Sequence, residues 1–333
     1  VKLKIISSLE DLVKDYIDLL DLNFIITLLQ DSDKEVKKKA SQLILEISKF
    51  KPSVLKPILA GIFNFIANQE QSVRIVLTKT LLEISKELPD HISVPLIIEL
   101  LSDTDSFIRE TSAKILGYVE KVHSLAAVDA LINIGLIDEE WIVRDAAVDS
   151  LGKLLKYVED KEIVIKKLVN LMDDDKSWVR RSSMNLLSSI QGTSDISIPF
   201  KKVSDNLTSS DSKVREGAVN LLKIYNIEDI DKIFSSILLL LGDESKDVRA
   251  TTIDVMVEII HKRGITKILS NLLKNLSDES TIETQQSIAR ILGRTVRYED
   301  ETIKKRVISL LKIRCEMSQD PVICEVLTRL KES

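Results

Sequence analysis

The chain has 333 residues, is 44% apolar and 30% charged, and carries a formal net charge of −5. This composition supports a large buried core and excludes a polyanion binder defined by its bulk charge. Nine glycines, six prolines and 4% aromatics are too few for a β-rich protein, which needs turn residues and aromatic strands.

In chain order, the first element is an amphipathic helix over residues 2–19. It carries acids where a signal peptide would be apolar. A repeating unit follows. Its anchors are Val36, Val73, Ile108, Val143, Val179, Val214 and Val248, spaced 37, 35, 35, 36, 35 and 34 residues apart. A basic residue follows each one: Lys37, Arg74, Arg109, Arg144, Arg180, Arg215 and Arg249. Five residues before each anchor stand Asp31, Asn68, Asp103, Asp138, Asp174, Ser209 and Asp243, all favourable helix N-caps. Small or apolar residues recur four and eight positions after the anchor, as at Ala40 and Ile44 or Ala147 and Leu151. Steps of four keep one helical face buried. Each unit therefore predicts helix, short acidic turn, helix, and one such hairpin buries its apolar face only against a neighbour. Between the fifth and sixth units, residues 190–200 hold Gly192, a Ser/Thr/Asp run and Pro199, so a bend is expected there. An eighth, degenerate unit places Thr284 at the anchor and Gln285 at the basic position, and a ninth hairpin ends the chain with Asp320 capping a helix that starts at Pro321. The expectation is a single array over 1–333: a capping helix at 1–19, repeats one to five over 20–192, and repeats six to nine over 193–333. About nineteen helices result.

These residues resemble the HEAT repeat family: an Asp, a Val five residues on, then Arg, with small or apolar residues four and eight beyond the Val. The resemblance covers roughly residues 20–331. It implies an all-α, right-handed α-solenoid whose second helices line the concave face. It also implies an acid–base ladder between neighbouring repeats, complete at Asp31/Lys37, Asp103/Arg109, Asp138/Arg144, Asp174/Arg180 and Asp243/Arg249. That ladder is expected to weaken at Asn68/Arg74 and Ser209/Arg215 and to be lost at Gln285.

Catalytic chemistry is not visible. His91, His123 and His261 lie in three different repeats without metal-ligand spacing. An iron hydroxylase family built on similar repeats uses His-Glu pairs, and no His-Glu dipeptide occurs. There is no phosphate-binding glycine loop and no G-x-S-x-G. No enzyme activity, cofactor or metal is expected. The turn acids, including the run at 173–175, are explained as helix caps. Trp141 and Trp178 are expected to pack on neighbouring hairpins. Cys315 and Cys324 make no disulfide framework and are expected to be reduced. No apolar run approaches the roughly 18 residues of a membrane span. A cytoplasmic protein follows.

What remains is a surface. Opposite the core, each second helix carries a stripe at offsets of 2, 6, 9 and 13 from the anchor. The stripe includes Lys79, Lys114 and Asp149 at offset 6. Lys49, Lys86, Lys121 and Lys156 stand at offset 13 in the first four repeats, followed by Gly192, Ile227, His261 and Arg297. Gly117, Gly152 and Gly293, at offset 9, are expected to open room on this face. The lysine row has two explanations: cations suit helix C-termini, or the row is a basic edge for an acidic partner segment. Two functions compete accordingly. One is a non-catalytic scaffold or adaptor binding proteins along the concave face, similar to the phosphatase scaffold subunit and vesicle-coat adaptor trunks. The other is a nucleic-acid or chromosome-associated solenoid using the lysines on phosphates, against which the acidic net charge counts.

Overall fold

The computed structural model describes residues 1–66, 69–190, 198–225, 230, 232–264, 266–276 and 280–332. Nineteen α-helices lie among the described residues. They form two compact units, Val1–Lys167 and Leu168–Ser333. In the first, α1 (Lys2–Tyr16) precedes the hairpins α2 (Leu22–Leu28) with α3 (Lys34–Phe50), α4 (Leu59–Ile66) with α5 (Gln71–Glu87), α6 (Val94–Leu100) with α7 (Ser106–Leu116), and α8 (Ser124–Asn133) with α9 (Trp141–Leu154). Helix α10 (Glu162–Leu171) runs across the division. The second unit continues with α11 (Ser177–Ser189), α12 (Phe200–Asn206), α13 (Ser212–Leu221), α14 (Phe234–Leu241), α15 (Lys246–Arg263), α16 (Thr266–Asn275), α17 (Ile282–Thr295), α18 (Glu301–Ser318) and α19 (Pro321–Lys331).

In each unit the odd-numbered helices pack side by side. Helix α1 lies on α3, α3 on α5, α5 on α7 and α7 on α9; separately, α11 lies on α13, α13 on α15, α15 on α17 and α17 on α19. The anchor valines and Ile108 are buried, as are the residues four and eight beyond them, from Ala40 and Ile44 to Ile288 and Leu292. Small residues at the fourth position (Ala40, Ser112, Ala147, Ser183, Ala218) let adjacent odd helices approach, and the large residues at the eighth fill the interior. Each fully buried Leu or Ile contributes roughly 1.5–3 kcal/mol. Gly117 belongs to this packing, because a Cβ there would lie 2.7 Å from the Ser150 Oγ. It does not open room on the surface as expected.

The turns correct the expected capping. The N-cap of each second helix lies three residues before the anchor, not five. Asp33, Asp105 and Asp211 occupy it and accept from backbone N–H groups two residues on, and Asp105 also from Ile108. The acid two residues earlier instead ties its own turn: Asp103, Asp138 and Asp243 accept from the N–H of Asp105, Glu140 and Ser245. Their remaining capacity is used by the preceding repeat. Arg109 Nε and Nη2 donate to Asp138 at 2.7 and 2.9 Å, while its Nη1 donates back to the Asp103 and Thr104 carbonyls at 2.9 and 3.3 Å. Arg215 repeats this on Asp243, both bonds at 2.7 Å, and on the Ser209 and Ser210 carbonyls. Arg74 donates to Asp103, and Lys2 of α1 to Asp31.

The rungs therefore join a base to the acid of the next repeat, and the base's own turn supplies only carbonyls. This moves the expected weak points. Ser209 does not impair Arg215, because a serine carbonyl serves as well as an aspartate one. The gap falls on Arg180, which keeps only the Asp174 and Asp175 carbonyls among the described residues. Arg74 likewise retains its rung to Asp103, and Asn68 lies outside the described residues. Nor is the connection lost at Gln285: its amide donates to the Ser280 carbonyl and its oxygen accepts from Arg314 Nε at 2.7 Å. A second, shorter rung went unnoticed in the sequence. Gln71 donates to the Asp105 cap, Ser177 bonds the Asp211 cap, and Lys34 pairs with Glu70 at 3.1 Å.

Two outcomes follow. Arg109→Ala leaves the nearly buried Asp138 carboxylate without its guanidinium, a loss of about 3–5 kcal/mol. Arg74→Ala breaks a single bond from a more exposed side chain, so its urea midpoint should move less. Equal shifts would refute the rung geometry. The caps set a pH dependence. Burial pushes Asp105 up, but the Gln71 amide and the Ile108 and Phe107 N–H groups outweigh it and hold its carboxyl below the ordinary value. Ser177 holds Asp211 low despite burial. A depressed carboxylate stabilises fully above the unfolded value of about 3.9 and ceases to do so as pH falls through the folded one. Stability should thus decline below about pH 4, and less steeply in an Asp105→Asn, Asp211→Asn variant.

Candidate functional site

The described offset-13 positions are exposed and the offset-6 positions exposed or half-buried, whereas Gly117 and Val257 at offset 9 are buried, and in each unit a groove opens along these offsets. In the first unit a groove of about 490 Å³ lies across α3, α5 and α7, with Lys49, Lys79 and Lys114 on its walls and Leu45, Leu82 and Phe107 below them. The other candidates do not line it. Lys86, Lys121, Asp149 and Lys156 are exposed elsewhere. Lys121 and Lys156 do not even share the helices of the first two lysines. Helix α7 ends at Leu116 and α9 at Leu154, so both fall on following 3-10 turns, whereas Lys49 and Lys86 sit in the last turns of α3 and α5.

Three of these six lysines are neutralised from their own helix. Lys49 pairs with Glu46 at 2.6 Å, Lys86 with Glu83 at 2.8 Å and Lys114 with Glu110. Lys156 lies over the Tyr157 ring. Lys79 alone among the three groove lysines keeps an uncommitted ammonium among the described residues. Exposed pairs at this spacing are worth about 0.3–0.5 kcal/mol and exchange readily with a competing carboxylate.

The larger groove, about 980 Å³, is in the second unit between α15, α17 and α19. It follows the same stripe: Ala250, Asp254, Val257 and His261 come from α15, and Arg290, Gly293 and Arg297 from α17 and the turn after it. His261 and Arg297 continue the offset-13 row, and arginine recurs at positions 290, 294 and 297, one face of a single helix and its exit. Gly192 and Ile227, also on that row, lie outside the described residues. Gly293 opens no room either, since a Cβ there would lie 2.7 Å from the Val326 Cγ1; its absence lets α17 meet α19 closely.

Trp178 is 51% exposed, with the Arg181 guanidinium of its own helix 4.3 Å over the ring. One further expectation needs correction. Cys315 and Cys324 are not reduced but joined in a disulfide. Helices α18 and α19 run back on each other through Gln319, whose left-handed backbone (φ 50°) makes the turn and places the two Cα atoms 5.1 Å apart. A spacing of nine residues holds no sign of this until the hairpin is formed. Among the described residues, no three His, Cys, Asp or Glu side chains are grouped as metal ligands, and no helix is long and apolar enough to cross a membrane.

The fold and its rungs define a stack of helical hairpins consistent with a HEAT-like solenoid. A family model for HEAT repeats matches residues 59–152, the stretch that carries the Arg74 and Arg109 rungs. Over that stretch the chain is similar to HEAT repeats. No curated protein matches it in sequence. Among solved structures it is similar to an engineered protein, with 19% identity over 100% of this chain and 95% of that one and a TM-score of 0.59. It is also similar to YibA of Escherichia coli, at 20% identity over 91% of this chain and 98% of that one, with a TM-score of 0.54. At such identities the likeness concerns the fold alone.

The disulfide gives the next expected outcome. Helix α18 buries only Val307 and Leu311 among its eighteen residues, so little else fixes it. Closing a loop of this size stabilises by roughly 2–3 kcal/mol. A Cys315→Ser, Cys324→Ser variant should lose about that much and exchange the α18 amides faster. Unchanged exchange in α18 would show the bond to be structurally idle.

Proposed function

We propose that the protein is a non-catalytic scaffold or adaptor that holds partner proteins against the outward stripe of its odd-numbered helices. The observation that supports this reading is the coincidence of both grooves with the stripe. Positions matched by the repeat, left over by core packing, are the same positions that line concave surface. Stacked helical hairpins of this kind are generally associated with protein–protein scaffolding. In the first unit we assign the partner-facing role to Lys49, Lys79 and Lys114, with Lys86, Lys121, Asp149 and Lys156 outside the groove. The partner is an acidic segment, since a lysine paired with a glutamate on its own helix gives up little in exchanging it for a partner's carboxylate. We keep the cytoplasmic location as a proposal with one condition. Cytosolic thiols reduce most disulfides, so Cys315–Cys324 would there have to be a protected crosslink.

The reading is tested with a Lys49→Glu, Lys79→Glu, Lys114→Glu variant. Native partners captured from lysate by the parent chain should bind it roughly tenfold more weakly at low salt, with the difference shrinking as ionic strength rises. Unchanged capture by a variant of normal helicity would remove these lysines from the partner surface. Capture of nucleic acid in place of protein would favour the chromosome-associated alternative.

A further inference from the structure

We infer that the second unit carries a distinct docking groove, between α15, α17 and α19, for an acidic protein segment that presents an apolar side chain; the inference deepens the scaffold reading and rests on it. Five cations line the groove (Lys262, Arg290, Arg294, Arg297 and Arg329) against two carboxylates, Asp254 and Glu258, in a chain whose net charge is −5. A cationic concentration in an acidic protein runs opposite to composition and focuses potential in a cleft.

Three of these five cations are already paired. Arg294 is committed to Asp254 at 2.6 Å, Lys262 to Glu258 at 2.7 Å, and Arg329 to Glu325. Glu258 also takes Lys223 at 3.2 Å. Arg290 and Arg297 have no carboxylate partner among the described residues, and both are exposed. They project from the same side of α17 and the turn after it, two stripe steps apart. The arginine side chains elsewhere in the stack show what such a group does when a carboxylate is offered: Arg109 and Arg215 each take one in a two-bond fork. An arginine fork matches carboxylate geometry in a way lysine cannot, so the free groups at 290 and 297 are carboxylate receptors of a kind the first groove lacks.

Ile253, Val257 and Val326 contribute apolar surface beneath the charged rim. The volume of about 980 Å³ holds several side chains. Among the described residues no Phe, Tyr or Trp lines the groove to stack a nucleobase, His261 is its one aromatic ring, and Asp254 and Glu258 would repel a phosphate backbone. An apolar floor under a basic rim fits a segment of alternating acidic and aliphatic residues.

The test uses the full chain and fluorescence anisotropy with three probes: a short labelled peptide of glutamates and leucines, an all-glutamate peptide of equal charge, and a single-stranded oligonucleotide. The mixed peptide should bind best, and a rise in salt should weaken it. Arg290→Glu, Arg297→Glu should reduce its affinity at least about tenfold, and Arg290→Gln, Arg297→Gln, which removes charge without reversing it, by a smaller factor. Lys49→Glu, Lys79→Glu should leave it unchanged. Circular dichroism checks that each variant folds. Binding that is indifferent to both arginine variants, an all-glutamate peptide that binds as well as the mixed one, or an oligonucleotide that binds more tightly would each overturn the assignment. So would a parent chain that ignores the mixed peptide. In that case the scaffold reading still stands or falls separately, on capture of native partners by the first-groove lysine variant.

Discussion

A nearly buried arginine must place five N–H donors, and the repeat is organised around doing so. In Arg109 the Nη1 group is taken by two carbonyls of its own turn, five and six residues back, and Nε with Nη2 by one carboxylate twenty-nine residues ahead. In Arg215 the forward step is twenty-eight. Six back and twenty-nine forward reproduce the spacing of 35 from Arg109 to Arg144; six and twenty-eight reproduce the 34 from Arg215 to Arg249. The period of the sequence is thus the reach of one guanidinium between two turns. Lysine, with a point charge and no fork, meets only part of the demand, and it stands only in the first repeat, where Lys37 is half-buried. The acid, too, is over-determined. Asp138 accepts from Arg109 and from the Glu140 N–H, so its removal undoes a turn and a junction together.

Most of this was legible because it is periodic. The anchors, their small and large followers and the first seven hairpins come from spacing, and the last hairpin from Asp320 ahead of Pro321. The direction of the rungs was not legible. A motif that holds both an acid and a base invites pairing within itself, yet a side chain six residues from its own acid reaches that acid's carbonyl, not its carboxylate. For the same reason the weak points were misplaced by one repeat: a missing acid harms the arginine before it. The cap was displaced by two residues because both positions are acidic in several repeats and composition does not distinguish an Asx turn from a helix cap. Asp103 and Asp105 differ only in which N–H groups they meet.

The candidate surface was legible in position and misread in emphasis. Matched offsets gave the stripe, and both grooves lie on it. Counting like residues along a row then drew attention to lysine at offset 13, although helix length varies: α3 and α5 run seventeen residues, while α7 runs eleven and α9 fourteen. An offset that exceeds the helix no longer names a face. Nor does a row of cations reveal which are already matched. Glu46 and Glu83, three residues before Lys49 and Lys86, are in plain view in the sequence and satisfy them locally. The arginines of α17 lack such neighbours. Four residues before Arg290 stands Gln286, which instead donates to the Asp320 cap of α19.

That last contact connects the two halves of the argument. The Gln286 amide holds the start of α19, the Gly293 backbone receives Val326 in the middle of it, and Cys324 fixes the same helix to α18. Three dissimilar devices act on one short helix, and each sets the position of the wall opposite Arg290 and Arg297. The regular rungs are absent at this junction, where Gln285 replaces the arginine. The groove therefore forms where the repeat is most degenerate. Gln285 stands in the place of the rung arginine and bonds Ser280 and Arg314, while α19 is held by an amide, a glycine contact and a disulfide.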